Sequence, residues 1–432
     1  MFVLFASLTI ALVSYVALRH WMKHARLSAI AVQQTLSAIS KHISLEEWDT
    51  ATSKLIPLLE NKKGGKKAAL FEIQILRQRK AYNTAHKKVK KAAQDYPEEL
   101  IFRLEEGKIL LKLGKPQEAL TAIKICTPIL RTEPDIYAYA SALLQCGYPL
   151  QCFETIEPWL AHCQEGKLFS LAAWAHFELN DFGKTIAYYH QAIELGFKSH
   201  KLLVQLGHAY RRHGNLQNAE QLFKQLLEKD SMDIAALLGL GNCLQERGLH
   251  HKALLLYQSG KLWNQKDPRI LLQAGICALN TQKFAHAESY FSQLDPTPKT
   301  LSYLGYAQER QQRWQEAEQT YRRLIKEFPS NPNGYRALAW MFGVGITSTL
   351  SQDQAISYAH IALNICSDPL TWEILSACEA RLGNFKRAYE IQTALMQTDE
   401  DRESRLRRQS ALRKLRQEHP LNPTHVQHTL VA

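Results

Sequence analysis

Small residues recur along this sequence at Ala51, Ala85, Ala119, Cys152, Thr185, Ala219, Ala253, Ala287, Ala317, Ala355 and Ala388. The steps between them are 34, 34, 33, 33, 34, 34, 34, 30, 38 and 33 residues. A period of that length points away from the two or three globular domains that 432 residues would otherwise suggest. It points instead to a stack of small, repeated supersecondary units.

The surroundings of each small residue repeat as well. Twelve positions earlier stands another small residue: Gly107, Ala140, Ala173, Gly207, Gly241, Gly275, Gly305 or Ser376. Four positions later comes a large apolar or aromatic one: Leu55, Val89, Ile123, Ile156, Tyr189, Phe223, Tyr257, Phe291 or Tyr321. Seven later is a further apolar or small residue, as at Ala92, Ala192, Leu226, Leu294, Leu324 and Ala362. Steps of four and seven share one helix face, so each small residue opens a helix whose inner face is apolar. Five positions before it lies Gly114, Gly147, Asn180, Gly214, Gly248 or Gly383, where the preceding helix ends and left-handed backbone is needed. Three before it an aromatic recurs (Trp48, Tyr82, Phe182, Phe284, Trp314, Phe385), placed to staple the start of the second helix. The unit is therefore a helical hairpin in which two small residues let the backbones approach and the large residue fills the gap beside them. One hairpin cannot bury its own apolar faces, so neighbours must stack. With 46% hydrophobic residues the chain can supply that continuous core. Cys243, Cys277 and Cys378 share one position, ten before the small residue, which makes them small core residues. No pair among the eight cysteines has the spacing of a zinc ribbon or redox motif, and unpaired thiols suit a reducing compartment.

The pattern is most complete in LGHAYRRHGNLQNAEQLF (206–223), LGNCLQERGLHHKALLLY (240–257) and LGYAQERQQRWQEAEQTY (304–321). In these stretches the chain resembles the tetratricopeptide-repeat family, and the resemblance runs over residues 32–401. It implies an all-α fold, a right-handed α-α solenoid of about eleven hairpins. The departures are Ile39 and Ile73 at positions where a small residue is expected, a shortened helix ending in DPTP (295–298), and an insertion, GVGITSTLSQ (343–352). The last two mark a bend or a local binding loop. The resemblance also implies that the first helices of successive hairpins line a concave groove for a protein or peptide partner. Groove-facing positions lie one and four or five residues after the small residue of the first helix. In the best-matching repeats these are Trp174, Phe177, His208, Arg211, Arg212, Asn242, Gln245, Tyr306, Arg310 and Trp340. Arginine and aromatics dominate binding energy at interfaces. The two-carboxylate clamp of some family members is absent, because its positions hold Val204, His208, Leu238 and Asn242. The Arg211–Arg212 pair still favours an acidic partner by charge.

The ends of the chain differ from its middle. Residues 1–18, MFVLFASLTIALVSYVAL, carry no charge. At about 1.5 Å per residue they just reach across a hydrocarbon core of roughly 30 Å, which predicts one N-terminal transmembrane helix. Arg19, Lys23 and Arg26 follow within a basic juxtamembrane segment (19–31), so the N-terminus faces outward and the repeats lie in the cytoplasm. Between Lys62 and Lys91 eleven Lys/Arg face one acid, Glu72. That stretch suits an anionic lipid surface, with nucleic acid as the rival and a plainly solvated face as the third reading. Residues 402–432 predict a basic helix capping the last hairpin, then a disordered tail. No phosphate loop, metal motif or nucleophile elbow is present, which predicts no catalytic residues, no cofactor and no bound metal. The architecture resembles the membrane-anchored repeat scaffolds of the bacterial inner membrane. It predicts an adaptor assembling or regulating an envelope complex, with a receptor for targeting peptides on an organelle membrane as the alternative.

Overall fold

The computed structural model describes residues 30–60, 65–259, 266–346, 349–397 and 402–423. The expected transmembrane segment, 1–18, lies outside these residues, as do 19–29 of the juxtamembrane stretch and the tail from 424. No helix among the described residues is long and apolar enough to cross a membrane.

The described residues form helices and no strand, and the chain divides into two compact units. The first, Met1–His213, contains α1 (30–44), α2 (Trp48–Glu60), α3 (Gly65–Gln78), α4 (Tyr82–Asp95), α5 (Leu100–Lys112), α6 (Pro116–Lys124), α7 (Glu133–Gln145), α8 (Pro149–Leu160), α9 (Gly166–Glu178), α10 (Phe182–Glu194) and α11 (His200–Arg212). The second, Gly214–Ala432, contains α12 (Leu216–Lys229), α13 (Ile234–Glu246), α14 (His250–Ser259), α15 (Pro268–Asn280), α16 (Phe284–Phe291), α17 (Pro298–Arg310), α18 (Trp314–Glu327), α19 (Pro332–Gly343), α20 (Gln352–Ile365), α21 (Pro369–Arg381), α22 (Phe385–Met396) and α23 (Arg402–Arg416). Each unit is a stack of antiparallel hairpins, the architecture of a helical-repeat solenoid. Within each unit the first helices of neighbouring hairpins also touch, as α3 does α5, α5 does α7 and α7 does α9.

The expected packing code is what holds the hairpins together. All eleven recurring small residues, from Ala51 to Ala388, are fully buried. So are their large partners four positions on, none of which is more than 2% exposed. A Cβ placed on Gly241 would lie 2.0 Å from the Tyr257 hydroxyl oxygen and 2.3 Å from the ring carbon that carries it. The same Cβ would come within 2.2 Å of Ile123 at Gly107, 2.5 Å of Phe291 at Gly275 and 2.4 Å of Tyr321 at Gly305. Only a residue without a side chain fits there. The tyrosines keep their hydroxyls satisfied: Tyr189 with Gln205 (3.1 Å), Tyr257 with Gln245 (3.2 Å) and Tyr321 with Glu309 (3.1 Å). Second helices open at the expected aromatics, since Trp48, Tyr82, Phe182, Phe284, Trp314 and Phe385 are each the first helical residue. Prolines 116, 149, 268, 298, 332 and 369 also open helices, where their missing N–H costs nothing. Leu294 departs from the pattern, because α16 stops at Phe291 and leaves it half-exposed.

The six turn positions expected to be left-handed all are, from φ +60° at Asn180 to +86° at Gly383. Glu46, Lys80, Gln282 and Gln312 hold the same turn position, also with positive φ, and no glycine announces them. At Gly147 (φ +83°) an added Cβ would meet nothing within 4 Å, so only backbone strain opposes a substitution. Gly147→Ala is expected to cost about 1–2 kcal/mol, whereas Gln312→Gly should stabilise by up to about 1 kcal/mol. Hydrogen exchange in the helices flanking each turn, shifted in the same direction by the two substitutions, would overturn this account.

The insertion at 343–352 is no free loop where it is described. Val344 and Leu350 are buried in the same core cluster as Trp340, and the Thr349 backbone N–H donates to Glu318 at 3.3 Å. At the C-terminal end, Arg408, Ala411 and Leu415 of α23 are buried, and Arg408 donates to the Leu395 carbonyl at 2.9 Å. Arg407 reaches Glu373 at 3.3 Å and Arg416 donates to the Tyr389 hydroxyl at 2.8 Å. Much of the charge that makes this helix look solvated is therefore tied into the last hairpin.

Candidate partner groove

Where α3, α5, α7 and α9 lie side by side they enclose a cavity of about 450 Å³. Leu111, Tyr137, Ala138 and Phe197 give it an apolar bed. Arg77, Lys108, Lys112 and Lys167 supply cations, Glu133 and Glu165 supply acids, and Ser141 and Gln145 are neutral and polar.

The charges at its base are paired across hairpins. Lys108, its side chain 12% exposed, sits 3.0 Å from Glu105 on its own helix and 2.7 Å from Asp135 on the next first helix. Arg77 of the preceding first helix lies 3.2 Å from Glu105. Burial alone would raise the Asp135 carboxyl, but bonds from Lys108 and Thr132 outweigh it and hold the group below the usual carboxylate range. At the rim Lys167 pairs with Glu165 at 2.9 Å. Lys112 is exposed and makes no ion pair with a described residue. The Cys163 thiol beside Glu133 is pushed up to about 11, first by burial and then by that carboxylate. It stays protonated and is no nucleophile at neutral pH. Cys152, Cys277 and Cys378 are pushed up to about 12 by burial, and all eight cysteines are free thiols. No group of three or more His, Cys, Asp or Glu among the described residues could hold a metal ion.

None of the ten groove residues expected from the sequence lines this cavity. In the first unit, Trp174 is half-buried, donating from its indole N–H to Glu178 at 3.0 Å beneath the Lys201 ammonium at 4.7 Å. Phe177 packs edge-on against Phe182, 5.5 Å away across its own hairpin turn. His208 and Arg211 are half-buried and Arg212 is exposed. Burial, then Arg211 and Arg212, hold the His208 imidazole below its ordinary range. In the second unit, the Gln245 amide donates to Tyr257 and to Gln273, each at 3.2 Å, so it joins neighbouring first helices. Asn242 and Tyr306 are half-buried, and burial raises the Tyr306 hydroxyl. Arg310 is exposed, with its guanidinium 5.3 Å from the Phe284 ring centre. Trp340 is 4% exposed and belongs to the core cluster that also holds Val344 and Leu350 of the insertion after α19. It offers no surface to a partner.

Applied to the hairpins that begin with α3, α5 and α7, the same spacing reaches part of the cavity lining. Of the positions one, four and five beyond Ile73, Gly107 and Ala140, Arg77, Lys108, Leu111, Lys112, Ser141 and Gln145 line it, whereas Gln74, Gln78 and Leu144 do not. Tyr137 and Phe197 fall outside the rule and had no sequence signal. The second unit has its own pocket, of about 520 Å³ beside α21 and α22, with Trp372 39% exposed over Pro369, Ile391 and Leu395.

Family models described as tetratricopeptide repeat match residues 210–276 and 300–331, so these stretches are tetratricopeptide repeats. No curated protein matches the chain. Among solved structures, the chain is similar to the APC/C hetero-tetramer Cut9-Hcn1, at 12% identity over 88% of each chain with a TM-score of 0.41. It is similar to yeast Tom70 at 12% identity and a TM-score of 0.41, covering 90% of this chain and 88% of that one. A repeat-containing protein from Cytophaga hutchinsonii aligns at 13% identity and a TM-score of 0.45, covering 54% of this chain and 95% of that one.

Proposed function

We propose that this repeat protein is a membrane-tethered, non-catalytic adaptor that holds a segment of a partner protein in the groove on α3, α5, α7 and α9. The observation that carries the reading is the groove's construction. An apolar bed lies among first helices, over a base whose buried charges are already paired, so a partner can cover it without stranding a charge. The exposed Lys112 adds a preference for acidic character at one edge of the bound segment. The uncharged 1–18 segment supports the tether, and the basic residues behind it favour a cytoplasmic repeat array; an envelope system of bacteria is the setting we propose for it.

A photo-crosslinking residue placed at 137 in the full-length chain is expected to capture a specific partner from native extract. The same probe at 306 should not. An interface tyrosine whose loss costs about 2 kcal/mol corresponds to roughly 30-fold in affinity, so Tyr137→Ala with Lys112→Glu should lower capture by at least that factor. Undiminished capture by that variant, together with loss on Arg211→Glu and Arg212→Glu, would move the site to α11 and end the groove reading.

A further inference from the structure

The helix α4 divides sharply between core and surface. Ala85, Val89, Ala92 and Ala93 are buried, while Lys87, Lys88, Lys90 and Lys91 are exposed, with Lys80 exposed in the turn before it. Lys88 pairs with Glu72 at 2.7 Å. Lys80, Lys87 and Lys91 make no ion pair with any described residue, and Lys90 acts only at a distance, on Glu118. The one acid on the helix is its last residue, Asp95. The second helix two hairpins on, α8, has no Lys or Arg and exposes Glu154 and Glu157. α4 thus carries four exposed lysines, where the other second helices of the unit, α2, α6, α8 and α10, carry at most one Lys or Arg each.

We infer that the outer face of α4 rests on an anionic bilayer surface and binds the headgroups of acidic phospholipids. The chemistry stands on α4 itself, and its nearness to a bilayer rests on the proposed tether. Ammonium groups on flexible stems suit a diffuse layer of headgroups. A single-stranded nucleic acid would call for aromatic stacking platforms, and the face offers none. Tyr82 and Tyr96 are half-buried, Arg79 is engaged with Asp49, and Arg77 with Glu105.

The test uses the full-length chain with nanodiscs of phosphatidylcholine alone and with added phosphatidylglycerol. The acetylation rate of individual lysines is read by mass spectrometry. Lys87 and Lys91 are expected to be protected several-fold by the anionic discs only, with protection lost at high salt and Lys112 unchanged. If the chain associates with both discs and these lysines react alike in each, the inference is overturned while the tether stands. If it associates with anionic discs alone, and Lys87→Glu, Lys90→Glu and Lys91→Glu together weaken that on the order of 100-fold, the tether fails and the surface stands. Association with neither disc overturns both. Protection by single-stranded RNA, with none from anionic discs, assigns the face to nucleic acid and overturns the proposal.

Discussion

Gly241→Ala is expected to destabilise the second unit by about 1–3 kcal/mol and Tyr257→Ala by about 3–5 kcal/mol, with the double variant costing clearly less than the sum. The new methyl of the first has nowhere to go, since its position lies 2.0 Å from the Tyr257 hydroxyl oxygen. Removing that ring leaves a hole, which the alanine at 241 then partly fills. Tyr257 also loses its bond with Gln245, so the single substitution carries a polar cost as well. Repeat arrays need not unfold in one step, so the readout is hydrogen exchange within α13 and α14 rather than one melting temperature. Strict additivity of the two costs would mean that the small and large residues are not packed against each other as described.

Lys108→Met should be the most damaging single change in the groove. It leaves Asp135 and Glu105, both buried, without the ammonium they share, and removing one member of a buried pair costs about 3–5 kcal/mol. The pH dependence identifies the cause. The Asp135 carboxyl is depressed in the folded chain, so its stabilisation is present above its unfolded range near pH 4. It fades as pH falls through the folded value. Without Lys108 the carboxylate is disfavoured by burial, so the deficit should be greatest at neutral pH and shrink on acidification. Adding Asp135→Asn should recover part of the loss. A deficit that is small and equal at about pH 4 and pH 7 would show that the base of the groove is not held by this pair.

The hairpin code was legible because it is set by steric contact, and steric contact restricts residue type. Ala219, Phe223 and Gly241 announce themselves by size, and Gly147 and Gly383 by backbone. Glu46, Lys80, Gln282 and Gln312 occupy the same left-handed turn unannounced, because a turn fixed by helices on both sides can impose positive φ on a residue that disfavours it. The groove was half legible. The spacing reaches Arg77, Lys108 and Gln145 of the first unit's cavity, but nothing in the spacing marks Tyr137 or Phe197, which complete its lining. In the second unit Gln245 is spent on the neighbouring first helix, where it bonds Gln273. Trp340 has the groove-facing spacing yet is buried, in a core cluster that takes in Val344 and Leu350 of the insertion.

The polar ties between hairpins carry a consequence for how far influence travels. Lys108 to Asp135, Tyr189 to Gln205, Gln245 to Gln273 and Gln258 to Tyr290 each join one hairpin to the next. Nearest-neighbour coupling of this kind makes each unit a row of short springs rather than a rigid bar. A load placed on one hairpin is shared with its neighbour and fades beyond it. A substitution that loosens one hairpin is therefore expected to be felt by its neighbour and to fade beyond it.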